Sequence, residues 1–423
     1  MTPEDFDFFA PETVVNPWAM YAVLRRDAPV YRIFEPAMRR DVYVVTPFDL
    51  VQQVFADNEL YSSRHGDILL AGGGNNPDVE AILSTGWPEI ATLQDNDQPD
   101  HRRFRVLANK AFSPANVTRM TSFVGGVIDE LIDGFIERGE CDFIREFSVP
   151  LPTLVILGIL GFDRSMAPKF AIWADAFVTM ISHMGTREEE INAAHHIVEF
   201  QNHAWEKIKA SRVKPGDDMI SALIQAKDEE GAPSLTDHEI LSLVRQIMIA
   251  GSETTRNTTS AGIGALLRNP DQLALLASDK SLLPAAMDEM LRYFSPVSGM
   301  WRIATRDTVL GGVQIPKDGL VMLRIDSANH DETMFADPLA FNIRRPNLRR
   351  HMAFGFGIHF CLGAMLARKE ISEALPRLIS RLHEMEIIEE KTDLGVFPIL
   401  ILRAPKALHI RFRRGTRLSA EPA

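Results

Sequence analysis

The chain has 423 residues, of which 46% are hydrophobic and 8% aromatic, enough apolar surface to bury a large core without staples or structural metals. A formal net charge of −12 argues against nucleic-acid binding, which depends on a basic footprint. The only cysteines, Cys141 and Cys361, are far apart, which excludes a zinc cluster and a disulfide framework and fits a reducing compartment.

The start, Met1-Thr-Pro-Glu-Asp-Phe-Asp-Phe-Phe9, is acidic and broken by proline, unlike a secretory signal or membrane anchor. No apolar run approaches the roughly 20 residues that span a bilayer, so a soluble, cytoplasmic protein with no membrane partner is expected. Without a Ser/Gly-rich or charge-block linker to cut at, residues 1–423 read as one domain, with 1–15 and 414–423 as loose termini. Tyr43-Val-Val-Thr46 is a short β-branched strand candidate. Residues 64–93, with Ala71-Gly-Gly-Gly-Asn-Asn-Pro77 and Trp87-Pro88, carry too many breakers for one regular element. Their apolar members Ile68, Leu69, Leu70, Ile82 and Leu83 predict a lid over something greasy.

The clearest helix opens on the capping box Thr236-Asp-His-Glu239 and runs to Asn269-Pro270, about 33 residues or roughly 50 Å. Its centre, Ile247-Met-Ile-Ala-Gly-Ser-Glu-Thr-Thr255, turns abruptly from apolar to polar, and buried hydroxyls with a carboxylate are costly unless paired or used. Val321-Met-Leu-Arg324 and Leu408-His-Ile-Arg-Phe412 add strands. The pattern predicts a mainly α fold with a minor β region.

The stretch that carries chemistry is His351-Met-Ala-Phe-Gly-Phe-Gly-Ile-His-Phe-Cys-Leu-Gly-Ala-Met-Leu-Ala-Arg368. A lone cysteine is usually a small buried hydrophobe, but here Phe354, Gly357, Cys361 and Gly363 fit Phe-x-x-Gly-x-x-x-Cys-x-Gly. The glycines permit tight turns and close approach to a flat cofactor, and the helical sequence after Cys361 places its sulfur at a helix start, where free N–H groups favour a thiolate. On these residues the chain resembles the cytochrome P450 family, soluble bacterial type, over residues 16 to 412. That resemblance implies the cytochrome P450 fold, a single large triangular helical domain with small sheets. It also implies haem b (iron protoporphyrin IX) ligated by Cys361, an axial thiolate that favours O–O cleavage, and the monooxygenase reaction with dioxygen.

Three further constellations follow from the resemblance. Glu289 and Arg292 match its Glu-x-x-Arg pair, a structural network in which Ala340 of Pro338-Leu-Ala-Phe341 stands where the family often has a third partner, leaving Arg344 or Arg345 for that role. Ala250-Gly-Ser-Glu-Thr254 looks like the oxygen-binding segment, with Gly251 leaving room for dioxygen and Thr254 and Glu253 relaying protons; the bland alternative bonds Thr254 back to a helical carbonyl and pairs Glu253 with Arg256. Asp97-Gln-Pro-Asp-His-Arg-Arg-Phe-Arg105 is similar to the propionate-binding segment, assigning His101 and Arg105 to the haem carboxylates together with Arg302 and His359.

Arg344, Arg345, Arg349, Arg350 and His351 occur with no acid between them, a basic patch able to steer an acidic electron donor. No flavin or nicotinamide segment is visible, so the resemblance implies a separate ferredoxin and ferredoxin reductase. By family position the pocket is lined by Leu83, Phe177, Met248, Ala250, Val297, Met300 and Ile399, apolar residues that imply an apolar substrate of terpenoid, steroid or fatty-acyl type. Arg64 and His65 are open to two readings, a contact to a substrate carboxylate or surface groups.

Overall fold

The computed structural model describes residues 1–35, 38–65, 76–182, 186–227 and 234–417. Its axis is the helix Asp237–Arg268, about 48 Å long at 1.5 Å per residue. Thr236 Oγ1 accepts from Glu239 N at 3.3 Å while Glu239 Oε2 accepts from Thr236 N at 2.8 Å, so the predicted capping box satisfies both backbone donors. Against this helix pack Pro150–Leu160, Ala167–Ser182, Arg187–Val213, Leu283–Phe294 and Ala364–Arg381. Pro150–Leu160 is apolar on all sides, and buries eight of its residues, as a helix inside a core does.

Beside the helical mass lies a five-stranded sheet ordered Val30–Glu35, Arg40–Val45, Leu320–Arg324, Gly299–Ala304, Tyr61–Ser62. Only the contact of Arg40–Val45 with Leu320–Arg324 is parallel. Leu320–Arg324 is buried at every position, because layers cover both faces of this central strand. His409–Arg414 pairs with Glu140–Asp142 and Leu382–Ile387. Among the described residues no helix is long and apolar enough to cross a membrane.

The chain ends are more ordered than expected, and the segment 64–93 is described only in part. Residues 1–15 are not a loose end: Pro3–Asp5 and Pro11–Val15 are helical turns, and Phe8, 2% exposed, sits in a core cluster beneath Arg324. Residues 414–417 are likewise held, with Arg417 pairing Asp133 at 3.4 Å and Asp129 at 3.5 Å, while residues 418–423 of that expected loose end lie outside the described residues. In the lid, Ile68, Leu69 and Leu70 lie outside the described residues, but Pro77–Leu83 is a helix. Its proline occupies the first turn, where no N–H is needed. Trp87 stacks on Trp205 at 4.0 Å, and Gln201 grips its backbone, Oε1 accepting from the Trp87 N–H at 2.9 Å and Nε2 donating to its carbonyl at 3.0 Å. The second half of the lid is thereby fastened to the helix Arg187–Val213.

Candidate functional site: the Cys361 loop and the space beneath the long helix

The loop before Cys361 takes its shape from two glycines in the left-handed region, Gly355 (φ +68°) and Gly357 (φ +72°). At Gly357 an added Cβ would also stand 2.7 Å from the Phe55 carbonyl oxygen, so glycine is required twice over. Cys361 N donates to Phe354 O at 2.9 Å, and Phe354 lies 5.1 Å beneath the Arg368 guanidinium. The sulfur receives the N–H groups of Gly363 and Ala364 as the helix Ala364–Arg381 begins. Burial nevertheless pushes the thiol above its ordinary value, and these N–H groups with Arg105 recover only part of the shift. The N–H groups at the helix start thus favour the thiolate, as the sequence reading expects, against the opposing effect of burial. Protein atoms surround Cys361, yet its side chain retains open surface, so it faces an internal space.

Beneath the loop Glu289 and Arg292 are both wholly buried and doubly bonded, at 2.6 and 2.9 Å. Arg292 also donates to the carbonyls of Asn329, Pro338 and Ala340. The third partner is Arg345, whose Nε lies 3.6 Å from Glu289 and whose guanidinium donates to the carbonyls of Ala336, Asp337 and Ala340. Arg344 is exposed. Asn329 ties the network to the loop by accepting from Met352 N at 2.7 Å. His351 Nδ1 accepts from Ala353 N, so Nε2 carries the proton and faces Asp288 at 3.3 Å. Arg345 and His351 thus turn inward, and only Arg344, Arg349 and Arg350 of the supposed surface patch are exposed.

Five basic side chains converge near the sulfur: His101, Arg105, Arg302 and His359, as assigned, and His65. His101 is 2% exposed with neither ring nitrogen bonded among the described residues, and its ring lies 4.3 Å from that of His359. His65 is equally unpartnered and buried. Burial, and then the charge of Arg302, lower His65 to about 4 and His359 to about 3. Burial alone brings Arg302 down to about 10, against a smaller opposing effect of Asp97. That carboxylate is already bonded by Ser62 Oγ and Ser63 N. So much buried basicity without a matching anion is unfavourable, and two propionates would relieve it. The residues present fit a haem. His65 was missed as part of this cluster because a single histidine beside the lid gives no motif.

On the opposite wall, the middle of the long helix keeps open surface along Gln246, Ile249, Ala250 and Thr254, of which Ala250 is exposed, spaced as one face. Open surface in mid-helix, under five packed helices, marks the same internal space. Thr254 Oγ1 donates to Ala250 O at 2.8 Å. Glu253 is 3.2 Å from Arg256, which also reaches the exposed Asp175 at 3.3 Å. Both bonds of the bland alternative are therefore made. Burial raises Glu253 above the usual carboxylate range, with Arg256 opposing and Asp175 adding to the rise. Gly251 does not leave the room assigned to it: a Cβ there would strike Ile156 at 2.4 Å, so this glycine seats the helix Pro150–Leu160, and the open surface belongs to Ala250. Met248 is 0% exposed and Phe177 3% exposed, which makes both packing residues of the core rather than pocket lining. Leu83, Val297, Met300 and Ile399 keep open surface, and Val297 bridges the strand-like Leu402 next to Ile399.

The family model for cytochrome P450 matches residues 162–410. The chain is 34% identical over 394 residues, 93% of each chain, to a steroid C26-monooxygenase of Mycobacterium tuberculosis. Its structure is similar to cytochrome P450 CREJ in complex with (4-ethylphenyl) dihydrogen phosphate (TM-score 0.88, 29% identity, 97% of this chain and 100% of that one). It is also similar to CYP109E1 from Bacillus megaterium in complex with corticosterone (TM-score 0.79, 32% identity, 95% and 99%). With the loop, the buried network and the basic cluster in the order the motifs predict, the chain belongs to the cytochrome P450 family and is a haem-iron monooxygenase.

Proposed function

We propose that the chain binds haem b through Cys361 and hydroxylates a mostly apolar small molecule, of terpenoid, steroid or fatty-acyl type, with electrons from a separate ferredoxin. The observation that supports this reading is the basic cluster of buried His65, His101 and Arg302 with partly buried Arg105 and His359, the rings of His65 and His101 unbonded among the described residues, beside a cysteine that keeps open surface. When bound, the haem supplies the reduction and cleavage of dioxygen, which an axial thiolate favours. The five basic groups would hold its carboxylates, and the Gly363 and Ala364 N–H groups would tune the sulfur.

Across the space, Thr254 presents a hydroxyl whose hydrogen bond to the Ala250 carbonyl is weak enough to exchange for another acceptor. Glu253, raised by burial, holds a proton closer to neutral pH than an ordinary carboxylate. Arg256 connects it to Asp175 at the surface, the direction from which protons arrive. Ile249, Val297, Met300 and Ile399 present apolar surface, which supports a greasy substrate. The exposed Arg344, Arg349 and Arg350 precede a loop whose Phe356, Phe360 and Met365 are also exposed, an apolar patch beside positive charge that suits an acidic ferredoxin.

The test is spectroscopic. Protein from cells grown with ample haem precursor should be coloured, and its reduced carbonyl adduct should show the red-shifted thiolate band. Colourless protein, or an unshifted adduct, sinks the reading.

A further inference from the structure

One polar pair at the open face of the long helix takes no part in the chemistry above. Gln246 stands two turns before Thr254 on the open face of the long helix, about 12 Å along its axis, and its Nε2 donates to Asp95 Oδ2 at 3.0 Å. Asp95 comes from the segment between the Trp87 anchor and His101. No salt bridge joins it to a basic group among the described residues. The neighbouring cation, Arg245, is already paired with Glu89, which works against it, so the charge of Asp95 is only partly compensated. Burial pushes Asp95 above the usual carboxylate range, with Arg245 and the Gln246 amide opposing. A half-buried carboxylate completed by one neutral amide has unused acceptor capacity, and where burial disfavours its charge that capacity is costly until a donor fills it.

We propose that Asp95, steadied by Gln246, is the anchor for a hydrogen-bond-donating head group, an ammonium or hydroxyl, on an otherwise apolar substrate. The anchor fixes the head about two helical turns from Thr254 and so sets which carbon, roughly 12 Å from the head, is presented for oxidation. An ammonium gains more than a hydroxyl because its bond to the carboxylate is charge-assisted. The inference rests on the apolar-substrate reading and adds the polar end of the substrate to it.

The test uses the haem-loaded full chain and three probes of one length: N,N-dimethyldodecylamine, 1-dodecanol and dodecane. Affinities are read by calorimetry and by the spin-state absorbance change, without turnover. In the wild type the amine should bind about tenfold or more tighter than dodecane, with the alcohol between. Asp95→Asn, isosteric and uncharged, should abolish the advantage of the amine while leaving dodecane within about twofold. Equal affinity of the wild type for all three heads overturns the anchor without needing any variant. Equal weakening of all three by Asp95→Asn also overturns it, since a residue that merely pins the lid affects every ligand alike. Failure of dodecane and both relatives to bind overturns the apolar-substrate reading and the anchor with it, whereas dodecane binding without head-group preference removes the anchor alone.

Discussion

Glu370 lies in the helix that follows Cys361, 1% exposed, with Oε2 unbonded among the described residues. Burial is the sole cause that raises its carboxyl from 4.5 to about 8. Between those values the folded chain holds a proton that the unfolded chain has released, so unfolding free energy falls as pH rises, by about 1.4 kcal/mol per unit. Below 4.5 both states are protonated and there is no penalty; above 8 both are ionised and the penalty is complete. Across the 3.5 units the loss amounts to at most about 5 kcal/mol, and about 3 kcal/mol of it has accrued by pH 7. Glu370→Gln keeps the shape and removes the ionisation. Urea unfolding followed by tryptophan fluorescence at pH 5, 7 and 8.5 should show the variant near wild type at pH 5 and progressively more stable above it. Parallel stability curves for the two proteins would refute the argument and mean that the folded state leaves Glu370 an ordinary carboxylate.

Three further perturbations address the site. Gly357→Ala places a side chain at φ +72° against the Phe55 carbonyl; it should cost about 2 kcal/mol and lower haem retention, measured as the haem-to-protein absorbance ratio. Arg345→Met removes the third partner of Glu289 and should cost about 3 kcal/mol in urea unfolding, whereas Arg344→Met, at an exposed position, should stay within about 0.5 kcal/mol; the reverse order would return the role to Arg344. Thr254→Ala should leave substrate-induced spin change intact but reduce product formed per electron pair on the order of tenfold, while peroxide-driven turnover is comparatively spared. Unchanged coupling would remove the proposed proton role of Thr254.

What the sequence disclosed best was whatever local chemistry alone decides. The Cys361 loop is legible because left-handed turns and close backbone approach admit glycine alone, and the long helix because a capping box marks its start. What stayed hidden depends on distant partners. Gly251 looked like space for a ligand, but the space is filled by Ile156 from another helix. In the run Ile247-Met-Ile249 every residue is apolar, so the pattern could not say that Ile249, and not Met248, meets the internal space. Arg344 and Arg345 are adjacent cations in a loop, and only the fold decides which turns toward Glu289. Asp95 and Gln246 lie far apart in the chain and carry no motif, although the spacing of Gln246, Ala250 and Thr254 was there to be read.

The crowding of His65, His101, Arg105, Arg302 and His359 near Asp97 also bears on the life of the protein before it is active. A newly made chain that has not met its porphyrin keeps the like charges of Arg105 and Arg302 and the unbonded rings of His65 and His101 at the junction of sheet and helices, and a ligand that binds only the folded state stabilises that state by mass action. Supply of the pigment then governs how much of this enzyme survives proteolysis, so that iron or porphyrin starvation thins the population of molecules and not merely the fraction that can turn over.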